Sequence, residues 1–279
     1  MLKYFRDSFA RKKARRITAA YPFKIVNFDL GDGVKIEFAN WENPLVHPIT
    51  INRGTVDFFR KFIPEGSLTI DIGANSGDTT VPIALATGKD GLTLGFEPSP
   101  FAFKILEANS TLNKDKTNIK ALPFAIADAE QEFYYSSSEA SFSNGGISSS
   151  KPNGFGSYTL KEKIRGVKLE DYLNLHYKEW IGKLSFIKID AEGYDKEIVK
   201  NIAPLIKVTK PVIIAEFFGE GLAKDRVELF ELLVSMGYEV YYFGDFSTDT
   251  TIEQLTTKED VLARNYNFNA YAIPVKGAH

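Results

Sequence analysis

Five carboxylates stand where short apolar runs give way to loops. Asp71 follows residues 68–70, Glu97 follows 92–96, Asp190 and Glu192 follow 184–189, and Glu216 follows 212–215. Ligands of doubly wound sheets bind outside the carboxyl ends of the strands, so acids at these positions are candidates for ligand contact. Gly73 and Gly77 bracket a tight turn directly after Asp71, where a missing Cβ lets backbone N–H groups approach a ligand. A dinucleotide site would place a third glycine between them and keep acids away from the pyrophosphate. Here Asn75 holds the middle position, and Asp71 is expected to point into the loop, where it repels phosphate and attracts an ammonium group. Twenty residues after Gly77, Glu97 can accept both hydroxyls of a ribose. A ligand carrying an ammonium at one end and a ribose at the other fits both acids, and S-adenosylmethionine is such a ligand.

Positioning these groups requires alternating strands and helices. Residues 68–70 read as a buried parallel strand, and the helix running from the loop towards Gly88 is capped by Asp78 or Thr79. After the strand at 92–96, Pro98 leads to Ser99 at a cap position and Pro100 at the first helical position. Residues 119–126 form a third strand with Asp128 beyond its end; 184–189 and 212–215 are the fourth and fifth. An amphipathic helix at 225–236 is stopped by Gly237, and strands at 239–243 and 268–275 follow. The pattern is that of an α/β protein.

The segments DIGANSGD (71–78), GFEPSP (95–100) and, roughly ninety residues later, FIKIDAEGYDKEIV (186–199) together resemble the FkbM-type family of S-adenosylmethionine-dependent methyltransferases over about residues 52–243. The resemblance implies a Rossmann-like, seven-stranded class I methyltransferase fold, its sheet mostly parallel with an antiparallel last strand. It also implies methyl transfer, usually to an oxygen of a sugar, polyketide or related small molecule. On this reading Asp71, Gly73, Asn75, Gly77, Asp78, Glu97 and Asp190 bind the cofactor. Pro98 and Ser99 lie beside its adenosine, and Asp128 meets the adenine amino group or is an ordinary turn residue.

An alcohol acceptor loses its proton as the new bond forms, and a nearby carboxylate can take it. Asp190 and Glu192 are the candidates for this catalytic role, and the sequence does not separate base from cofactor-orienting group. Catechol-type methyltransferases also place acids after the fourth and fifth strands, so a Mg²⁺ or Ca²⁺ site at Asp190, Glu192 and Glu216 is an alternative. Phe217 stands where those enzymes carry an amide, which favours a metal-free reading. DAEG after the fourth strand differs from the D-P-P-Y-like pattern of nucleic-acid amino-methyltransferases, favouring an oxygen acceptor. Competing readings are a nicotinamide-dependent oxidoreductase and a catalytically idle cofactor-binding module.

Composition bounds these readings. The 279 residues suit one large domain with an extension, taken as a methyltransferase domain at 52–279 preceded by an extension at 1–51. There is no cysteine, which removes disulfides and thiolate nucleophiles, and the three histidines, His47, His176 and His279, cannot form a zinc helix. No apolar run approaches the roughly 18 residues a membrane span needs, and no secretory-signal pattern is present, so a cytoplasmic location is expected. Residues 1–16 hold seven Lys or Arg against Asp7, a charge of +6, so a net charge of −2 leaves −8 for the rest and disfavours nucleic acid. That segment reads as a basic helix with Leu2, Phe5 and Phe9 on one stripe, either packed on the domain or contacting a membrane surface or partner. A hairpin is expected over 24–38, turning at Gly31, Asp32 and Gly33. His47, between Pro44 and Pro48, is a surface residue or a substrate contact. Residues 136–157, with eight serines between Ser136 and Ser150, are expected as a flexible loop, either a substrate flap carrying Phe142 and Phe155 or a disordered surface excursion.

Overall fold

The computed structural model describes residues 2–151, 157–218 and 223–275, with side chains from Arg6 onward. Its main sheet has eight strands in the spatial order Ile252–Leu255, Tyr238–Phe243, Phe268–Pro274, Val212–Phe217, Leu184–Ile189, Leu68–Ile72, Leu92–Phe96 and Ile119–Leu122. The last five of these run parallel to one another. Phe268–Pro274 inserts antiparallel between Val212–Phe217 and Tyr238–Phe243, as the resemblance implies for the final strand. The eighth strand, Ile252–Leu255, pairs antiparallel with Tyr238–Phe243 at the edge. Sequence reading missed it because three of its four residues are exposed and it carries no apolar alternation.

Strand alternation distributes the core. Ile187, Ile189, Ile213 and Ala215 face a cluster that includes Leu173, Ile198 and Leu229 from the helices Leu169–His176, Asp195–Asn201 and Ala223–Ser235. Phe186 and Ile214, of opposite parity, face Phe58, Phe59 and Ile83 from the helices Arg53–Arg60 and Thr80–Thr87. These two strands are therefore covered on both faces, which is why their segments read as continuous apolar runs.

The run 119–126 is divided between two sheets. Ile119–Leu122 ends the main sheet, and Ala125–Ile126 joins a second, five-stranded sheet with Ile164–Val167, Gln131–Ser137, Gly146–Ser148 and Tyr158–Thr159. Pro123 lies at the break, and its missing N–H cannot continue the ladder. The Ser/Gly segment is thus folded over much of its length rather than a free loop. Gly146–Ser148 pairs with Gln131–Ser137, and Ala140, Ser141, Phe142 and Ser143 are buried.

Near the start of the chain, the helix Leu2–Ala14 is followed by a hairpin of Phe23–Asp29 and Lys35–Trp41. Gly31, Asp32 and Gly33, all at positive φ, make the turn. Phe38 and Ile36 of the hairpin pack with Ile51, Val56 and Val81, seating it on the main domain.

Candidate active site

A cavity of about 230 Å³ opens at the carboxyl ends of the Leu68–Ile72, Leu92–Phe96 and Leu184–Ile189 strands. Its wall combines the glycine loop, Glu97 and Pro98, the Asp190–Glu192 turn, Phe124 to Ile126, Tyr135, and Ser143 to Ile147 of the Ser/Gly segment. Val46 and Ile49 close one side.

The glycine loop is bound to its neighbours through backbone atoms. Gly73 and Ala74 both donate to Phe96 O at 3.0 Å, and Asp190 N donates to Ile72 O at 3.0 Å. A Cβ on Gly73 would lie 1.8 Å from Asp190 O, and Gly73 has φ +76, so only glycine allows the two strand ends to approach this closely. Asn75, in the left-handed region at φ +45, donates its N–H to Glu97 Oε2 at 2.8 Å. Ser99 N donates to Glu97 Oε1 at 2.7 Å. Each oxygen of Glu97 is thus anchored by one backbone N–H and keeps lone-pair capacity, and the residue lines the cavity. Burial pushes the Glu97 carboxyl up to about 7, against the pull of those two N–H donors.

Asp71 departs from expectation. The strand runs on to Ile72, so Asp71 is its penultimate residue and its side chain falls on the face covered by the Thr80–Thr87 helix. It is fully buried and outside the cavity lining. Thr79 and Thr80 hydroxyls donate to Oδ2 at 2.9 and 2.7 Å, and Lys188 Nζ lies 3.3 Å from Oδ1. Thr79 holds the N-cap position of that helix, but its hydroxyl serves Asp71 and does not cap. Asp78 lines the cavity, raised to about 6 by burial despite the nearby charge of Lys188.

Lys188 was not singled out from the sequence. It is buried, lines the cavity, and also reaches Asp190 Oδ2 at 3.3 Å. Burial alone would lower its pKa, but Asp71, Asp190 and Asp78 together hold it above the ordinary lysine value. The signal was a lone charge inside the apolar strand LSFIKI. Its partner Asp71 is 117 residues away, beyond any local pattern.

Asp190 and Glu192 come together on the cavity wall. Glu192 sits at φ +52, a conformation disfavoured for a residue with a side chain, followed by Gly193 at φ +91. Buried Asp195 accepts Ala191 N and Gly193 N, both at 3.3 Å, and so shapes this turn; burial and the charge of Asp190 raise it to about 7. Desolvation in the wall, then the charge of Asp190, raise Glu192 above the usual carboxylate range, while Asn144 opposes the rise through a hydrogen bond.

Other expected residues fall elsewhere. Ser99 is buried behind Glu97, and its hydroxyl donates to Phe142 O at 3.2 Å rather than capping its helix. Gly77 is behind the loop, against Leu106. Asp128 is exposed, accepts from Gln131 Nε2 at 3.3 Å and lies outside the cavity lining, because the chain has already turned into the second sheet. His47 is exposed and outside the lining, although Val46 and Ile49 contribute to it. Glu216 faces a separate small cleft and accepts from Asn267 at 3.2 Å; burial and the charges of Asp190, Asp195 and Glu192 raise it to about 8. Among the described residues, no three acids or histidines converge on a metal position, so Asp190, Glu192 and Glu216 do not form the set considered from sequence. Phe142 stacks on Phe101 in the core, 5.5 Å between centroids, and does not reach into the cavity; Phe155 lies outside the described residues. Asn75 Nδ2 donates to Ser143 O at 3.2 Å, tying the Ser/Gly wall to the glycine loop.

The family model for the methyltransferase FkbM domain matches residues 71–240, and the chain belongs to that family. Among solved structures, it is similar to a methyltransferase FkbM from Methylobacillus flagellatus, with 12% identity over 78% of this chain and 50% of that one, at a TM-score of 0.43. It spans half the length of that protein. An O-methyltransferase from Bacillus cereus in complex with SAH matches at 13% identity over 79% of each chain, with a TM-score of 0.41. A SAM-dependent O-methyltransferase from Thermotoga maritima matches at 11% identity over 92% of this chain and 80% of that one, with a TM-score of 0.43. No curated protein matches the chain.

Proposed function

We propose that the protein is an S-adenosylmethionine-dependent O-methyltransferase acting on a hydroxyl of a sugar, glycan or secondary metabolite. One observation carries the cofactor assignment: Glu97 lines the cavity with each oxygen held by a single backbone N–H, at 2.7 and 2.8 Å. A carboxylate fixed in that way presents spare lone pairs to two neighbouring hydroxyl donors, as a ribose offers. Phe96, Pro98, Phe124 and Ile126 give the same cavity apolar walls suited to a flat base. With Asp71 sequestered by Lys188, Asp78 and Asp190 are the lining acids that would meet an ammonium group.

The cofactor supplies an electrophilic methyl group carried on a sulfonium. The chain supplies orientation and proton management. Because methyl transfer is an in-line displacement, holding the acceptor oxygen in line is the largest contribution the cavity can make. Asp190 is committed to Lys188 through Oδ2, which leaves Glu192 as the acid free to take the hydroxyl proton. Its raised pKa brings it closer to neutral pH, where a general base works best.

Isothermal calorimetry with S-adenosylhomocysteine tests the reading. Binding that weakens about tenfold or more in E97Q supports it, on the scale of a lost hydrogen bond to a charged group. Binding indifferent to E97Q, or fluorescence enhancement of NADH on mixing, would favour a different ligand. Transfer of labelled methyl to a panel of hydroxylated acceptors then identifies the substrate.

A further inference from the structure

The sequence before the main domain concentrates two properties that soluble surfaces keep apart. Among the described residues, twelve large apolar side chains are exposed, and five of them, Phe9, Ile17, Phe23, Ile25 and Val34, fall before residue 35. Phe9 is 72% exposed and Ile17 52%. Between them stand Arg11, Lys12, Lys13, Arg15 and Arg16, all exposed. Among the described residues none of these five cations forms an ion pair, although the rest of the chain is acidic. Exposed cations interleaved with exposed aromatic and aliphatic side chains are the composition of a segment that rests in the headgroup region of a bilayer.

We infer that residues 6–25 dock the protein on an anionic lipid surface, with the basic cluster meeting the headgroups and Phe9, Ile17, Phe23 and Ile25 entering the interface. Charge complementarity selects this occupant: five unpaired cations on one short stretch suit a continuous sheet of negative charge. Phe23 and Ile25, two residues apart on one strand, share its exposed face, while Val26 and Phe28 pack on the core from the other. The extension also contacts the segment that carries one cavity wall: Ala140 N donates to Arg15 O at 3.1 Å, three residues before Ser143. Surface docking would therefore act next to the Ser/Gly wall of the cavity.

The test is co-sedimentation of the full chain with vesicles of phosphatidylcholine alone and of phosphatidylcholine with about one quarter phosphatidylserine, at low and high salt. The wild type is expected to sediment with the anionic vesicles only and to be released by high salt, since screening weakens surface attraction. The variant R11E/K12E/K13E/R15E/R16E is expected to lose at least about tenfold in vesicle affinity, and F9S/I17S to lose less. Equal binding to neutral vesicles, or no binding to either, overturns the proposal. So does a dimer seen by light scattering that the charge variant abolishes without any vesicle binding, which would mean that the basic segment meets the acidic body of a second copy. Calorimetry with S-adenosylhomocysteine on the same charge variant separates this from the methyltransferase reading, because cofactor affinity should be unchanged.

Discussion

Lys188 and Asp71 are register partners on adjacent parallel strands, their side chains on the same sheet face and their charged atoms 3.3 Å apart. The pair is nearly sealed from solvent, with side-chain exposures of 3% and 0%. Two buried charges are tolerated only when they satisfy each other and their remaining lone pairs and protons. Here Thr79 and Thr80 complete Asp71, and Asp190 completes Lys188. The network runs from the start of the Thr80–Thr87 helix, through the floor of the site, to an acid on the cavity wall.

Removing one partner should therefore be far worse than removing both. K188M leaves Asp71 buried without a cation and is expected to lose about 3–5 kcal/mol in urea unfolding. D71N/K188M, with neither charge, is expected to recover at least half of that loss. A K188M protein as stable as the wild type would show that the pair does not hold the strands together.

How far the sequence revealed the site follows from the range of each interaction. The glycine loop, the strand ends and Glu97 announce themselves locally, because a buried strand followed by a φ-positive glycine turn is a signature contained in a few residues. Asp71 was misread by one residue of strand length. Extending the strand to Ile72 puts Asp71 on the pleat instead of at the tip, and the alternation of side chains does the rest. Lys188 was missed because the partner that holds it, Asp71, lies 117 residues away, and Tyr135 and Asn144 because they reach the cavity only once the Ser/Gly segment folds against the glycine loop. Of the two readings of Asp128, the structure shows the exposed turn residue, because Pro123 diverts the chain into a second sheet before that residue is reached.

Gly73 offers a test of the loop geometry. G73A would put a methyl group 1.8 Å from Asp190 O in a conformation L-residues rarely adopt. The strand ends must separate to accommodate it. A loss of at least about 2 kcal/mol is expected, together with loss of S-adenosylhomocysteine binding in calorimetry. G31A, in the hairpin turn with open space around its Cβ, bears the same positive-φ strain without the clash and should leave cofactor binding intact.

Glu97 predicts a pH dependence with opposite signs for stability and binding. Its carboxyl is raised from 4.5 to about 7, so between those values the folded protein keeps a proton that the unfolded chain has released. Its contribution to stability is therefore fully present below about 4.5 and is lost as pH rises towards 7, at up to about 1.4 kcal/mol per pH unit. Asp195, raised to about 7, acts in the same direction. Ligand hydroxyls need the ionised form, so S-adenosylhomocysteine affinity should rise as pH passes through 7. E97Q should flatten the binding trend and reduce the stability trend, leaving the part that Asp195 and Glu216 contribute, measured by calorimetry and urea unfolding from pH 5 to 8.

Glu192 is the residue whose loss should separate chemistry from binding. E192Q keeps the size of the side chain and its contact with Asn144 while removing the proton acceptor. Turnover with an identified acceptor is expected to fall by about 10² to 10⁴, with S-adenosylhomocysteine affinity within about threefold of wild type. The wild-type acid limb of the kcat profile should also disappear, because the group that must be ionised is no longer there. D190N, by contrast, removes a partner of Lys188 and should lower stability along with turnover. If E192Q retains full turnover while D190N does not, the base is Asp190, and the hydrogen bond from Lys188 orients the base itself.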